Sequence, residues 1–189
     1  MGQCPNIDIT GAGIFVYPYE EDGLGIDSLH LNLDIRKASL ILGDHINDLS
    51  EMSAYNLKLR GMKLKTSLLD SKIEVFGGRS NESKEATGTY AQYNGGIRIS
   101  RAILPSLGVG LNLLSSSDDK GSISDPQGVN PLSNLVLGGD VTYSPNKGRQ
   151  LIFEYSNSSY DENKIDNVGA KKDKSYKVQA EMTIRHYRK

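Results

Sequence analysis

The stretch Asn134–Ser156 reads NLVLGGDVTYSPNKGRQLIFEYS, and its alternation decides the fold. Leu135, Leu137, Val141 and Tyr143 fall on one face, with Asn134, Asp140 and Thr142 on the other. After Ser144–Arg149 the alternation resumes, with Leu151, Phe153 and Tyr155 set against Glu154 and Ser156. A period of two is the mark of a strand. In the intervening turn Pro145 presets one φ, and Gly148 tolerates a positive one. The segment is therefore a hairpin, and the whole chain reads as this hairpin repeated.

Working outward, Ile7–Tyr17 is a first strand, followed by an acidic loop over Glu20–Asp27. Leu29, Leu31, Leu33 and Ile35 then alternate with His30, Asn32, Asp34 and Arg36. Ser39–Gly43 follows, and a long link runs from Asp44 to Ala54. Tyr55–Thr66 changes phase: Leu57 and Leu59 hold one, Met62 and Leu64 the other, which predicts a bulge at Gly61. Ile73–Gly77, Tyr90–Ser100 and Leu107–Leu113 are further strands, and Tyr176–Arg185 is the last. The polar stretches Gly78–Thr89, Ser115–Ser133 and Asn157–Lys174 are long loops. Long and short connections alternate, so all long loops gather at one end. The fold predicted is all-β: an antiparallel up-and-down β-barrel of about ten strands, one domain over 1–189 or a fragment of a larger barrel.

Composition agrees with this reading. The hydrophobic share is 37%, below the ~45–50% usual for globular domains, as expected when only alternate residues meet an apolar medium. A net charge of −1 gives no electrostatic footprint for nucleic acid. No apolar run is long enough for a transmembrane helix. The start has no charged segment followed by an apolar one, so a mature chain or a portion of a longer one is expected. Asn6 stands where a myristoylation signal needs Ser or Thr, and the lone Cys4 allows no internal disulfide.

On its alternation, its loop asymmetry and its even strand count, the chain resembles bacterial outer-membrane β-barrel proteins. Short pieces (Leu42-Gly43-Asp44, Arg60-Gly61, Gly77-Gly78-Arg79, Gly88-Thr89-Tyr90) are more narrowly similar to barrel portions of large Gram-negative surface proteins. The resemblance implies an outer-membrane location, membrane lipid as partner and a structural or porin-like role. Small solutes or surface partners would be met through the long loops. Many such barrels end in an outward aromatic residue, whereas here Tyr187 falls in the polar phase. With Phe at 3 and Trp at 0, an aromatic girdle would fall to Tyr17, Tyr55, Tyr90, Tyr93, Tyr143, Tyr155 and Tyr176. Alternation equally allows a soluble or secreted β-sandwich or barrel that keeps the apolar face as its core and binds a ligand or partner through its loops.

The residues expected on the polar, lumen-lining face are His30, Asp34, Arg36, Lys58, Arg60, Arg98, Asp140, Glu154, Lys177, Glu181 and Arg185. In a small closed barrel these mixed charges would pair and fill the interior; in a wider one they would line water and set selectivity. The lipid-facing set is Leu29, Leu31, Leu33, Ile35, Leu107, Val109, Leu111, Leu135, Leu137, Val141 and Phe153. No catalytic residues, cofactor or metal are expected. His45 reads as a solvated loop histidine with no triad or metal-spaced partner. Ser117–Asp125 does not follow the EF-hand spacing, and Lys171–Lys174 reads as a solvated turn. Gly11-Ala12-Gly13 lacks the strand–GxGxxG–helix setting of a nucleotide loop.

Overall fold

The computed structural model describes residues 7–16, 25–35, 37–50, 52–53, 56–124, 128–146, 149–165 and 170–182. Ten strands follow one another: β1 (Ile7–Val16), β2 (Gly25–Ile35), β3 (Ala38–Asn47), β4 (Leu57–Leu68), β5 (Ser71–Asn81), β6 (Gln92–Leu104), β7 (Leu107–Asp118), β8 (Ser133–Asn146), β9 (Arg149–Asp161) and β10 (Lys171–Met182). Each pairs antiparallel with the next, giving a single ten-stranded up-and-down sheet. Among the described residues no pairing joins β1 to β10. At 10 to 14 residues, each strand has the ~9–11 residues that a tilted strand needs to cross a bilayer.

The connections alternate as the sequence predicts. Two residues separate β2 from β3, β4 from β5, β6 from β7 and β8 from β9, whereas the other links span eight or more. Leu69 and Asp70 turn the β4–β5 hairpin with φ of 50° and 63°. That double positive φ belongs to a type I′ turn, whose twist matches the flanking strands.

Several strands outrun their expected bounds at the long-loop end. β3 continues through His45 to Asn47, β7 through Ser117 to Asp118, and β9 through Asn157 to Asp161. Lys171–Lys174, expected in a turn, opens β10 opposite Asn157–Tyr160. Polar and charged residues carry most of these extensions, serines in β7 and β9 and lysines in β10, so they have no apolar alternation to announce them.

The sheet buries its polar face. Leu111, Leu137 and Phe153 are 66%, 59% and 47% exposed, whereas Asn112 and Glu154, their neighbours on the other face, are 3% and 8% exposed. A small apolar cluster does sit on the buried side, at the long-loop end: Leu49, Leu59, Phe76, Leu114 and Val136, with Leu57 against it. Glycines make room there for flat side chains. Phe76 lies across Gly96, where a Cβ would come within 2.6 Å of the ring.

Candidate pore-lining face

Register assigns each charge to a face, because directly paired residues share one. His30, Asp34, Arg98, Asp140, Glu154 and Lys177 stand on the inner face, where His30 alone of the six is exposed, and Glu181 keeps their phase opposite Gln150. Arg36 and Arg185 lie outside the described residues. Leu31, Leu33, Ile35, Leu107, Val109, Leu111, Leu135, Leu137, Val141 and Phe153 share the outer face, and Leu29 keeps their phase opposite Gly13.

Lys58 and Arg60 are corrections. The expectation that they join the inner charges rests on a bulge at Gly61, but both registers of β4 pass through Gly61 without a shift. The strand keeps one phase throughout. Leu57 and Leu59 are apolar on the inner face because Leu59 joins the apolar cluster that includes Leu49, and Leu57 packs against it. Lys58 and Arg60 are consequently turned outward. The inner cations of β4 are instead Lys63 and Lys65, which alternate with Met62 and Leu64. That alternation with Met62 and Leu64 is legible in the sequence with or without the bulge, and the bulge misplaces only Lys58 and Arg60.

A belt of charge crosses the inner face. Paired positions run Asp34–Ser39–Lys65–Glu74–Arg98–Asn112 from β2 to β7. One row nearer the short turns, Gly110, Asp140, Glu154 and Lys177 continue it. Glu74 receives Lys63 at 2.8 Å and Lys65 at 3.8 Å, and Arg98 meets Asp140 at 2.7 Å. The Arg98–Asp140 pair lies over Gly110, whose missing side chain leaves space for it: a Cβ there would stand 2.6 Å from Arg98 Nη2. Lys63 also donates to the Ile46 carbonyl at 2.9 Å. Other buried polar atoms have no protein partner, among them Glu154 Oε2, both amide atoms of Asn112 and His45 Nε2. Such groups need water or a ligand to be satisfied.

His45, expected in a solvated loop, is a buried residue of β3 with Nδ1 2.9 Å from the Gly43 carbonyl. The loop after β3 turns inward. Leu49 is 4% exposed within the apolar cluster, and Ser156 on β9 donates to the Met52 carbonyl at 3.5 Å. Residues 48–50 and 52–53 therefore reach across the inner face from β3 towards β9. Beneath them Asp48 joins Asp34, Lys65, Lys72, Glu74 and Arg98 around a cavity of about 440 Å³.

The described residues of the β5–β6, β7–β8 and β9–β10 connections form a cap. Asp118 accepts from Gln92 Nε2 at 3.1 Å and from the Leu132 amide at 2.9 Å. Lys164 donates to Ser117 Oγ and the Asp118 carbonyl at 2.7 and 2.8 Å, and Asp119 accepts from the Gly121 amide at 3.0 Å. Tyr90, expected in a girdle, is buried in this cap and donates to the Val129 carbonyl at 3.2 Å. Tyr93, Tyr143, Tyr155 and Tyr176 are exposed on the outer face. Tyr17 and Tyr55 lie outside the described residues.

No family model matches the sequence. No curated protein matches it either. Among solved structures, the fold matches the crystal structure of a double variant of OccD1 (OprD), a bacterial outer-membrane porin, with a TM-score of 0.50 and 14% identity. The match covers 93% of this chain and 47% of that one, so this chain spans about half the porin's length. The likeness is one of fold: an all-β, up-and-down arrangement of porin type.

Proposed function

We propose that the chain is a single-domain wall of a bacterial outer-membrane β-barrel with a structural or porin-like role. One observation carries this reading: the apolar face is exposed and the polar face buried. A soluble sandwich or barrel would reverse that arrangement, because apolar surface left in water forgoes ~25 cal/mol per Å² of stabilisation. Lipid removes that cost, and a water-filled interior accounts for the carboxylate and amide atoms without protein partners. The fold likeness to a porin supports the same conclusion. In this reading His30, Asp34, Arg98, Asp140, Glu154 and Lys177 line the lumen, and the inward residues around Leu49 narrow it. Leu31, Leu111, Leu137 and Phe153 meet acyl chains. Unpaired strand edges are not tolerated in lipid, so β1 and β10 close on each other or pair with further strands. The role is passage of small solutes or wall structure, and no catalytic residue is assigned.

The test is fractionation followed by reconstitution. The chain is expected in the outer-membrane fraction, resistant to urea extraction, and folded only with detergent or lipid. Stable folding as a monomer in plain buffer would end the membrane reading. In planar bilayers, discrete conductance steps are expected; inserted protein without conductance would leave only the structural role.

A further inference from the structure

Charges on the outer face stand at Arg101 near the short turn of β6, at Lys172 and Lys174 of β10, and most densely at the long-loop ends of β3, β4 and β5. There Asp44, Arg60 and Arg79 occupy one paired row, and Tyr93 continues it on β6. Lys58 stands two residues beyond Arg60 towards the loops, on the same face. Lys58, Arg60 and Arg79 together line a cavity of about 630 Å³, with Asp44 and Glu82 as its carboxylates. Cations on a lipid-facing surface cost ~2–4 kcal/mol at mid-bilayer and ~0–1 near the interface. Three of them in one patch therefore set its level at the headgroups. Towards the membrane centre the same face turns apolar, with Met62 53% and Val75 40% exposed.

The cations do not simply neutralise the carboxylates. Arg60 holds Asp44 through two bonds of 2.9 and 3.1 Å. Arg79 meets Glu82 at 2.6 Å, but both side chains are at least a third exposed. Such pairs exchange partners at little cost. Lys58 is exposed and has no ion pair among the described residues. An Arg fork and an ammonium directed at one cavity suit a phosphate, and a neighbouring tyrosine suits the interface.

We infer that this cavity binds the phosphate of a lipid headgroup in the leaflet on the long-loop side, with the lipid's acyl chains lying over Met62 and Val75. The inference rests on the membrane-barrel reading above. Its test uses the full chain folded in detergent and native mass spectrometry. The probes are a bisphosphorylated glycolipid, the same glycolipid without phosphates, and inorganic phosphate at matched concentration. The expected result is retention of the phosphorylated lipid at least tenfold better than its dephosphorylated form, with inorganic phosphate not retained. A Lys58→Gln/Arg79→Gln double variant should lose that preference, and Lys58→Arg/Arg79→Lys should keep it. Equal retention of both lipids by the unmodified chain would overturn the inference without any variant having to fold. So would retention of free phosphate, or an unchanged preference in the double Gln variant. Folding in buffer without detergent would remove the membrane reading and this site together, whereas equal lipid retention by a membrane-inserted chain removes the site alone.

Discussion

Leu69 illustrates how a single residue can work against an otherwise favourable element. Its φ of 50° belongs to the left-handed region, which costs an ordinary L-residue ~1–2 kcal/mol, while type I′ turns favour Asn-Gly. Leu69 is 80% exposed, so replacing it removes no core contact. Leu69→Asn is expected to raise the unfolding free energy in lipid vesicles by about 1 kcal/mol, read from urea titration of tyrosine fluorescence. Glu154 is the counterpart on the inner face. It stands opposite both Asp140 and Lys177, and its Oε2 has no protein partner. Glu154→Gln removes one negative charge from the proposed lumen and is expected to move the reversal potential in asymmetric KCl towards anion preference. An unchanged potential would place Glu154 away from the ion path.

At the scale of elements, the inward loop and the charge belt are coupled through the apolar cluster. Leu49 holds the loop against Leu59, Phe76, Leu114 and Val136 on four different strands. Burying one leucine contributes ~1.5–3 kcal/mol, enough to keep a short loop in place. Leu49→Asp should release the loop and raise single-channel conductance, with the strand signal in circular dichroism unchanged. Unaltered conductance would show that the loop does not narrow the path. The sequence shows little of this arrangement. Leu49 sits alone in a polar stretch, and Leu57 and Leu59 look like an ordinary outward phase cut short by a bulge. The cluster that explains them is assembled from residues as far apart as Leu49 and Val136. Conversely, Asp118 and Lys164 look like loop residues when read alone, and they become the joints of the cap only once β8 has brought the ends of β7 and β9 together on either side of it.

For the whole molecule, the inverted burial predicts depth-dependent tolerance of charge. Leu111 lies mid-strand on the outer face, while Leu69 lies at a short turn. Leu111→Arg is expected to destabilise the protein in vesicles by ~2–4 kcal/mol and Leu69→Arg by ~0–1 kcal/mol. Equal effects at the two sites would contradict the membrane placement. The outward position of Lys58 and Arg60 fits the same rule, since both lie near the long-loop rim of β4, where water and headgroups solvate them.

Read by itself, the sequence determined the strands, their number, their up-and-down order and the gathering of long loops at one end. These are local properties: a period of two, a turn residue and a loop length are written in consecutive positions. The same alternation separated His30, Asp34, Arg98, Asp140, Glu154 and Lys177 from the outward leucines. Tertiary structure alone decided which of the two faces is buried, because alternation is identical whichever way a sheet curls. It also decided the phase of β4, the partners of Lys63 and Glu74, and the reach of a loop to Ser156, 104 residues from Met52. Those outcomes depend on cross-strand register and on chain closure over long separations, and neither is written in the spacing of neighbouring residues.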